Sequence, residues 1–136
     1  MSAAPLQPPL TSPATILAVD DDNNVLSMID RALSNAGYRV LLADGGWNAI
    51  QAYENSVEPV QLLLTDVIMP DLTGPVIAER LRARQPGLQV LFISGFHDAD
   101  LVQRFVTAKG FALLPKPFTV SSLLRVVEES LSAAKG

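Results

Sequence analysis

Leu62-Leu63-Leu64-Thr65-Asp66-Val67-Ile68-Met69-Pro70 is the stretch on which the reading of this chain turns. It starts as the apolar run of a buried strand. It stops on a single acid, Asp66, before a short apolar turn into proline. An acid at the end of a buried strand is poorly solvated unless something offsets its charge. The rest of the sequence has to supply that offset.

Working outward, the same kind of apolar run recurs. Thr15–Asp20 (TILAVD), Arg39–Ala43, Val60–Thr65, Leu88–Ile93 and Phe111–Leu114 read as five strands. Helical spacing fills the gaps between them. Asn23–Ala36 carries Val25, Met28, Ile29, Ala32, Leu33 and Ala36, and Gly37 stops it. Gly46–Asn55 turns Ala49, Ile50 and Tyr53 inward. A third helix holds Pro75 in its first turn and ends by Gln85, because Pro86 disfavours helix before it. Asp98–Lys109 places Leu101, Val102, Phe105 and Val106 on one side. Thr119 caps a last helix with Leu123, Leu124, Val127 and Leu131. The strands are nearly all apolar rather than alternating, as expected when helices cover both faces of a parallel sheet.

Composition narrows the classes. At 136 residues the chain is most simply one domain, and 49% apolar with 18% charged residues is a globular balance. The absence of cysteine excludes a disulfide framework and a zinc–thiolate site. No run has the length of a membrane span and the N-terminus lacks a signal-peptide pattern, so a cytoplasmic protein is expected. The net charge of −4, with acids at positions 20–22, argues against direct nucleic-acid binding. Residues 1–13 hold four of the ten prolines and no charged side chain; they read as a flexible leader before a domain over 14–134. Arg80, Arg82 and Arg84 are expected to scatter around a helix as a solvated face.

In a parallel sheet the C-terminal strand ends share one edge, where ligands bind. Four of the five strands end on a residue able to do chemistry: Asp20-Asp21, Asp66, Ser94 and Lys116. The remaining strand ends blandly at Ala43. Each residue alone has an ordinary reading as a helix cap, a turn or a solvated lysine, and Asp22 is expected to cap the first helix. Together they form a cluster. Three carboxylates so close cannot all be ionised without cations. Lys116 supplies one positive charge, and a hard divalent ion such as Mg²⁺ would supply the rest. Carboxylates, metal and lysine together trap a phosphoryl group in transfer. Asp66, on the central strand, is the nucleophile candidate, with Ser94 and Lys116 at the phosphoryl oxygens.

Asp20-Asp21, Asp66 with Met69-Pro70 and Gly74, Ser94-Gly95, and Lys116-Pro117-Phe118 together resemble the response-regulator receiver domain. Val90–Phe96 (VLFISGF) and Leu114–Phe118 (LPKPF) are similar to receivers attached to hybrid sensor histidine kinases. The resemblance implies a doubly wound, flavodoxin-like three-layer (βα)5 sandwich, its parallel sheet ordered 2-1-3-4-5. It implies that Asp66 accepts a phosphoryl group from a sensor histidine kinase or a histidine phosphotransfer protein. Asp21 and Asp66 would hold Mg²⁺ directly, Asp20 through water, and Ile68 through its backbone carbonyl. The Lys116–Pro117 bond would be cis. Phosphorylation would then move the surface formed by the fourth helix, fifth strand and fifth helix, where an unidentified protein target docks. The chain would catalyse only its own phosphorylation and dephosphorylation.

Two departures from the family pattern stand out. Leu113 occupies the position of the usual switch aromatic. Ile68 and Phe96 occupy positions that influence water access to the phosphoryl group, so slow self-dephosphorylation is expected. His97 reads as a solvated loop residue, and Trp47 is expected to lie away from the acids. The last helix ends near the chain's end, so no DNA-binding domain is expected here. A stand-alone regulator, to which Met1 lends weight, and a receiver excised from a hybrid kinase are both open. Three other readings compete. A Mg²⁺-dependent phosphohydrolase would want its nucleophile after the first strand, in an Asp-x-Asp-x-Thr pattern that Asp20-Asp21-Asp22 lacks. A flavin module would need a phosphate cradle where three acids stand. A phosphorylation-independent interaction module would have no use for the intact acids.

Overall fold

The computed structural model describes residues 13–95, 99–105 and 109–133. Five strands, β1 (Thr15–Val19), β2 (Arg39–Ala43), β3 (Leu62–Asp66), β4 (Gln89–Ser94) and β5 (Ala112–Pro115), alternate with five helices. These are α1 (Asn23–Asn35), α2 (Gly46–Asn55), α3 (Gly74–Arg84), α4 (Ala99–Phe105) and α5 (Val120–Ala133). All neighbouring strands pair parallel, in the order β2-β1-β3-β4-β5. The sequence expectation of a doubly wound, flavodoxin-like sheet holds.

Side chains alternate across a strand, so each strand feeds two cores. Leu17, Val19, Leu63 and Phe92 pack toward Ala49 of α2 and Ile77 and Leu81 of α3, with Val102 of α4 against them. Ile16, Leu62, Leu64, Leu91 and Ile93 pack toward Ile29 and Leu33 of α1 and Leu123 and Val127 of α5. Strands apolar on both faces are thus explained, since a helix layer lies over each. Each such fully buried Leu, Ile or Phe contributes about 1.5–3 kcal/mol of apolar transfer, an upper bound.

The helix boundaries follow local chemistry. Asp22 caps α1, its carboxylate accepting the amides of Asn24 and Val25. Gly37, at φ +98°, takes the left-handed turn after that helix. Thr73 caps α3 through Val76, with Pro75 in the first turn. The Thr119 hydroxyl accepts the Ser122 amide ahead of α5.

The departures are small and have causes. β3 runs to Asp66 and β4 to Ser94, because ladder pairing continues past the last apolar residue. β1 ends at Val19, leaving Asp20 to turn toward α1 through its bond to Asp22. On α1, Leu26 is buried and Ala36 is exposed, so the inward stripe sits over different residues than the apolar spacing suggests. The fourth helix was expected over Asp98–Lys109. Asp98 and Val106 lie outside the described residues, and Lys109 is in 3₁₀ rather than α conformation.

The arginines of α3 are not a plain solvated face. The Arg80 guanidinium lies 5.1 Å from the centre of the Trp47 ring, Arg82 5.1 Å from that of Phe111, and Arg84 6.0 Å from that of Tyr53. Arg84 also pairs with Glu54 at 2.6 Å, and the Arg82 Nε donates to the Leu88 carbonyl. Two of the three therefore stitch α3 to α2.

Candidate functional site

The registers of β1 and β3 bring the acids together. Val19 is level with Thr65, so the next residues, Asp20 and Asp66, leave the sheet side by side. Asp20 is fully buried, Asp66 is 6% exposed, and Asp21 is exposed at the mouth. One carboxylate oxygen from each of the three lies within 4.8 Å of the others. Sequence alone does not separate Asp20 from Asp21. Their burial does: Asp20 prolongs the buried run of β1, and Asp21 beyond it is exposed.

Lys116 arrives from the end of β5. Its Nζ lies 2.9 Å from Asp20 Oδ2 and 3.4 Å from Asp66 Oδ2. Its backbone is tied to β4, the Lys116 amide donating to the Ser94 carbonyl at 2.8 Å. The bond to Pro117 is cis, as expected. Burial alone would lower the Lys116 pKa. The Asp20 carboxylate and the Asp66 charge outweigh burial and hold the ammonium above the ordinary lysine value.

The other proposed participants sit as follows. Ser94 is half-buried at the end of β4, and its hydroxyl donates to the Gly95 carbonyl at 3.2 Å. Its backbone joins the cluster through Lys116, but its hydroxyl is not bonded to the acids in this state. Ile68 follows Asp66 by two residues, with a 43% exposed side chain. Leu113 is half-buried against the core shared with α2 and α3. Phe96 and His97 lie outside the described residues.

The donor set suits a hard cation. Asp20 Oδ1 accepts the Asp22 amide at 2.9 Å. Asp20 Oδ2 is buried with no hydrogen-bond donor among the described residues, although the Lys116 ammonium is close; that contact is an ion pair without hydrogen-bond angles. Such an oxygen, beside two further carboxylates, matches the all-oxygen preference of Mg²⁺. The residues present therefore fit the ion.

The structure gives one motif residue a role and adds a residue that the sequence reading missed. Gly74, already part of the motif, opens α3 against Asp66, and its amide donates to the Val67 carbonyl at 2.7 Å. A Cβ there would meet the Asp66 carbonyl oxygen at under 3.0 Å and the Phe92 ring at 3.2 Å. Asp71, on the loop between β3 and α3, accepts the amides of Gly46 and Trp47 at 2.9 and 3.0 Å. The signal for Asp71 was faint but present: α2 opens on Gly45-Gly46, without a capping side chain of its own. Trp47, expected to lie away from the acids, is thus tied by its backbone to the loop that follows Asp66.

Among the described residues no helix is long and apolar enough to cross a membrane. Residues 16–128 match the family model of the response regulator receiver domain. The chain is 35% identical over 119 residues to the response regulator receiver protein CpdR of Brucella abortus, covering 88% of this chain and 98% of that one. It is 33% identical over 122 residues to the sensor kinase CckA of the same organism, covering 90% of this chain but only 13% of the kinase. A CheY-like receiver domain protein from Methanospirillum hungatei superposes with a TM-score of 0.81 at 28% identity, over 91% of this chain and 98% of that one. A receiver domain protein from Clostridium thermocellum superposes with the same TM-score of 0.81, at 25% identity over 90% and 97% of the two chains. With its 2-1-3-4-5 sheet and the acids and lysine at one edge, the chain belongs to the response regulator receiver domain family of two-component signalling systems.

Proposed function

We propose that Asp66 is the phosphoacceptor of this receiver and that Mg²⁺, Lys116 and Ser94 serve the transfer. The observation that carries the reading is the placement of Asp66. It ends the central strand with oxygens of Asp20 and Asp21 within 4.8 Å and the Lys116 ammonium at 3.4 Å. An Asp66 oxygen attacks the phosphorus of a phosphohistidine. The P–N bond breaks, its electron pair stays on the imidazole, and an O–P bond forms on Asp66. Lys116 holds one phosphoryl oxygen. The Ser94 hydroxyl, released from Gly95, donates to another. Asp21, Asp66 and the Ile68 carbonyl are the proposed metal ligands, with Asp20 acting through water. Bound there, Mg²⁺ neutralises charge on the phosphoryl oxygens.

The donor is proposed to be a sensor histidine kinase or a histidine phosphotransfer protein in the cytoplasm. The chain acts on its own phosphorylation state and on no separate substrate. The domain is taken as 14–134, following a Pro-rich leader over 1–13. Two settings have support, a receiver acting alone like CpdR or one within a larger kinase like CckA. Phosphorylation adds about −1.5 to −2 charge at the strand end, and the α4-β5-α5 face is where an output protein reads it. Leu113, half-buried against the core in place of an aromatic, modifies that output; Pro117 shapes the lysine's approach.

Incubation with acetyl phosphate, with and without Mg²⁺, tests the assignment by intact mass. A phosphate adduct is expected on the wild type with Mg²⁺ and none on Asp66→Asn. An adduct that persists in Asp66→Asn overturns the assignment.

A further inference from the structure

We propose that Asp71 is a positioning residue for the metal site, acting through the loop between β3 and α3. The inference rests on the reading of the acid cluster as a Mg²⁺ site and deepens it. Three backbone amides converge on one carboxylate: Gly46 and Leu72 on Oδ1 at 2.9 and 2.8 Å, and Trp47 on Oδ2 at 3.0 Å. Two of those amides are orphan donors at the N-terminus of α2, twenty-five and twenty-four residues away in sequence from their acceptor. The helix's own cap, Gly45, makes no side-chain hydrogen bond. The acid that caps α2 is therefore lent by the phosphoacceptor loop.

The fit around this junction is close. A Cβ on Gly45 would lie 3.2 Å from Asp71 Oδ2, and one on Gly46 would lie 2.5 Å from the Leu72 Cβ. Two successive glycines thus admit the loop against the helix. On the other side the loop is held by the Gly74 amide on the Val67 carbonyl and by Met69, buried in the core. Between these anchors lies Ile68, whose side chain is exposed and whose carbonyl is the proposed ligand. The main chain at Ile68 is located by Val67 and Met69 beside it and by Asp71 at the far end of the loop. Releasing Asp71 frees that far end and leaves the ligand held by its two neighbours alone.

Groups that orient a metal ligand typically govern affinity by about 10–100-fold. Asp71 acts through two intervening residues, Met69 and Pro70, so Asp71→Ala is expected to weaken Mg²⁺ binding about tenfold by calorimetry on the unphosphorylated chain. Asp71→Asn keeps one acceptor oxygen and is expected to fall between the two. A role in stability alone would lower the melting temperature and leave the Mg²⁺ affinity of the folded protein unchanged. The wild type supplies a second readout. Coupling is reciprocal, so Mg²⁺ must tighten the junction that favours it. Hydrogen exchange at the Gly46 and Trp47 amides is expected to slow several-fold when Mg²⁺ is added, and this needs no variant to fold. Asp71→Ala binding Mg²⁺ within about twofold of wild type, against the about 10–100-fold range, overturns the proposal. So does exchange at those two amides that ignores the ion. Either result leaves the site reading standing. A wild-type chain that binds no Mg²⁺, or an Asp66→Asn variant that binds it unchanged, removes the site reading and this proposal with it.

Discussion

Replacing Gly74 with alanine tests whether α3 is seated against the phosphoacceptor strand as described. The added methyl meets the Asp66 carbonyl oxygen at under 3.0 Å and the Phe92 ring at 3.2 Å. Neither is the tip of a flexible side chain. The carbonyl belongs to the central strand, and Phe92 is fully buried and edge-on to Phe111. Overpacking of this kind costs about 1–3 kcal/mol, and rigid neighbours place the cost near about 3 kcal/mol. Alanine restricts the unfolded chain, which returns about 0.4–1 kcal/mol. A net loss of about 2 kcal/mol, at about 4 °C per kcal/mol for a domain of this size, lowers the melting temperature by about 8 °C. Thermal unfolding followed by circular dichroism reads this directly. Gly87→Ala is the matched control, since a Cβ at Gly87 meets nothing within 4 Å. It should leave the melting temperature unchanged or slightly raised. A Gly74→Ala variant melting within about 2 °C of wild type, against an expected shift of about 8 °C, refutes the packing argument.

Four further outcomes are expected. Lys116→Met removes the cation beside Asp20 and Asp66 and should tighten Mg²⁺ binding at least about fivefold, since a unit charge pair about 4 Å apart is worth about 1 kcal/mol even in water; calorimetry checks this. Because the Lys116 pKa is raised, its stabilising effect is fully present below the ordinary value of 10.5 and is lost as pH rises through the raised one. The stability gap between Lys116→Met and wild type in chelator should therefore close in strong alkali, as urea unfolding would report. Ile68→Asn supplies an amide able to orient water and should shorten the phosphorylated lifetime about tenfold, a fraction of the about 10²–10⁴ available to a full general base; a lifetime equal to or longer than that of wild type contradicts it. The Gly46 amide, then the Trp47 amide, hold the Asp71 carboxyl below its ordinary value of 3.8, outweighing its slight burial. Its stabilising effect is present above that value and fades as pH falls through the depressed one, so urea midpoints of wild type and Asp71→Asn should differ at about pH 6 and converge toward about pH 2.

The sheet was legible because five apolar runs of strand length alternate with helical spacing, and such a chain has few ways to bury all ten elements. The acids were legible because each stands where an apolar run stops. Contacts between elements distant in sequence were not. Asp71 drew no reading, since nothing local says that α2 will need its carboxylate. The arginines of α3 looked solvated, because Trp47, Tyr53 and Phe111 come beside them only once α2, α3 and β5 are packed. Leu26 and Ala36 exchanged burial because spacing gives the width of a helical stripe but not its rotation over the sheet.

The order in which the cluster's members enter the chain has a kinetic consequence. Asp20 and Asp66 meet when β1 and β3 pair, and Lys116, the lysine beside them, is fifty residues further on from Asp66. A nascent sheet of β2, β1 and β3 therefore carries its negative charges together before their counterion can arrive. Closing the long loop to β5 is slow on entropic grounds, and the repulsion it relieves adds a thermodynamic pull toward completion. A signalling site whose charges do not balance without a ligand is, during folding, a latch that only the last strand fastens.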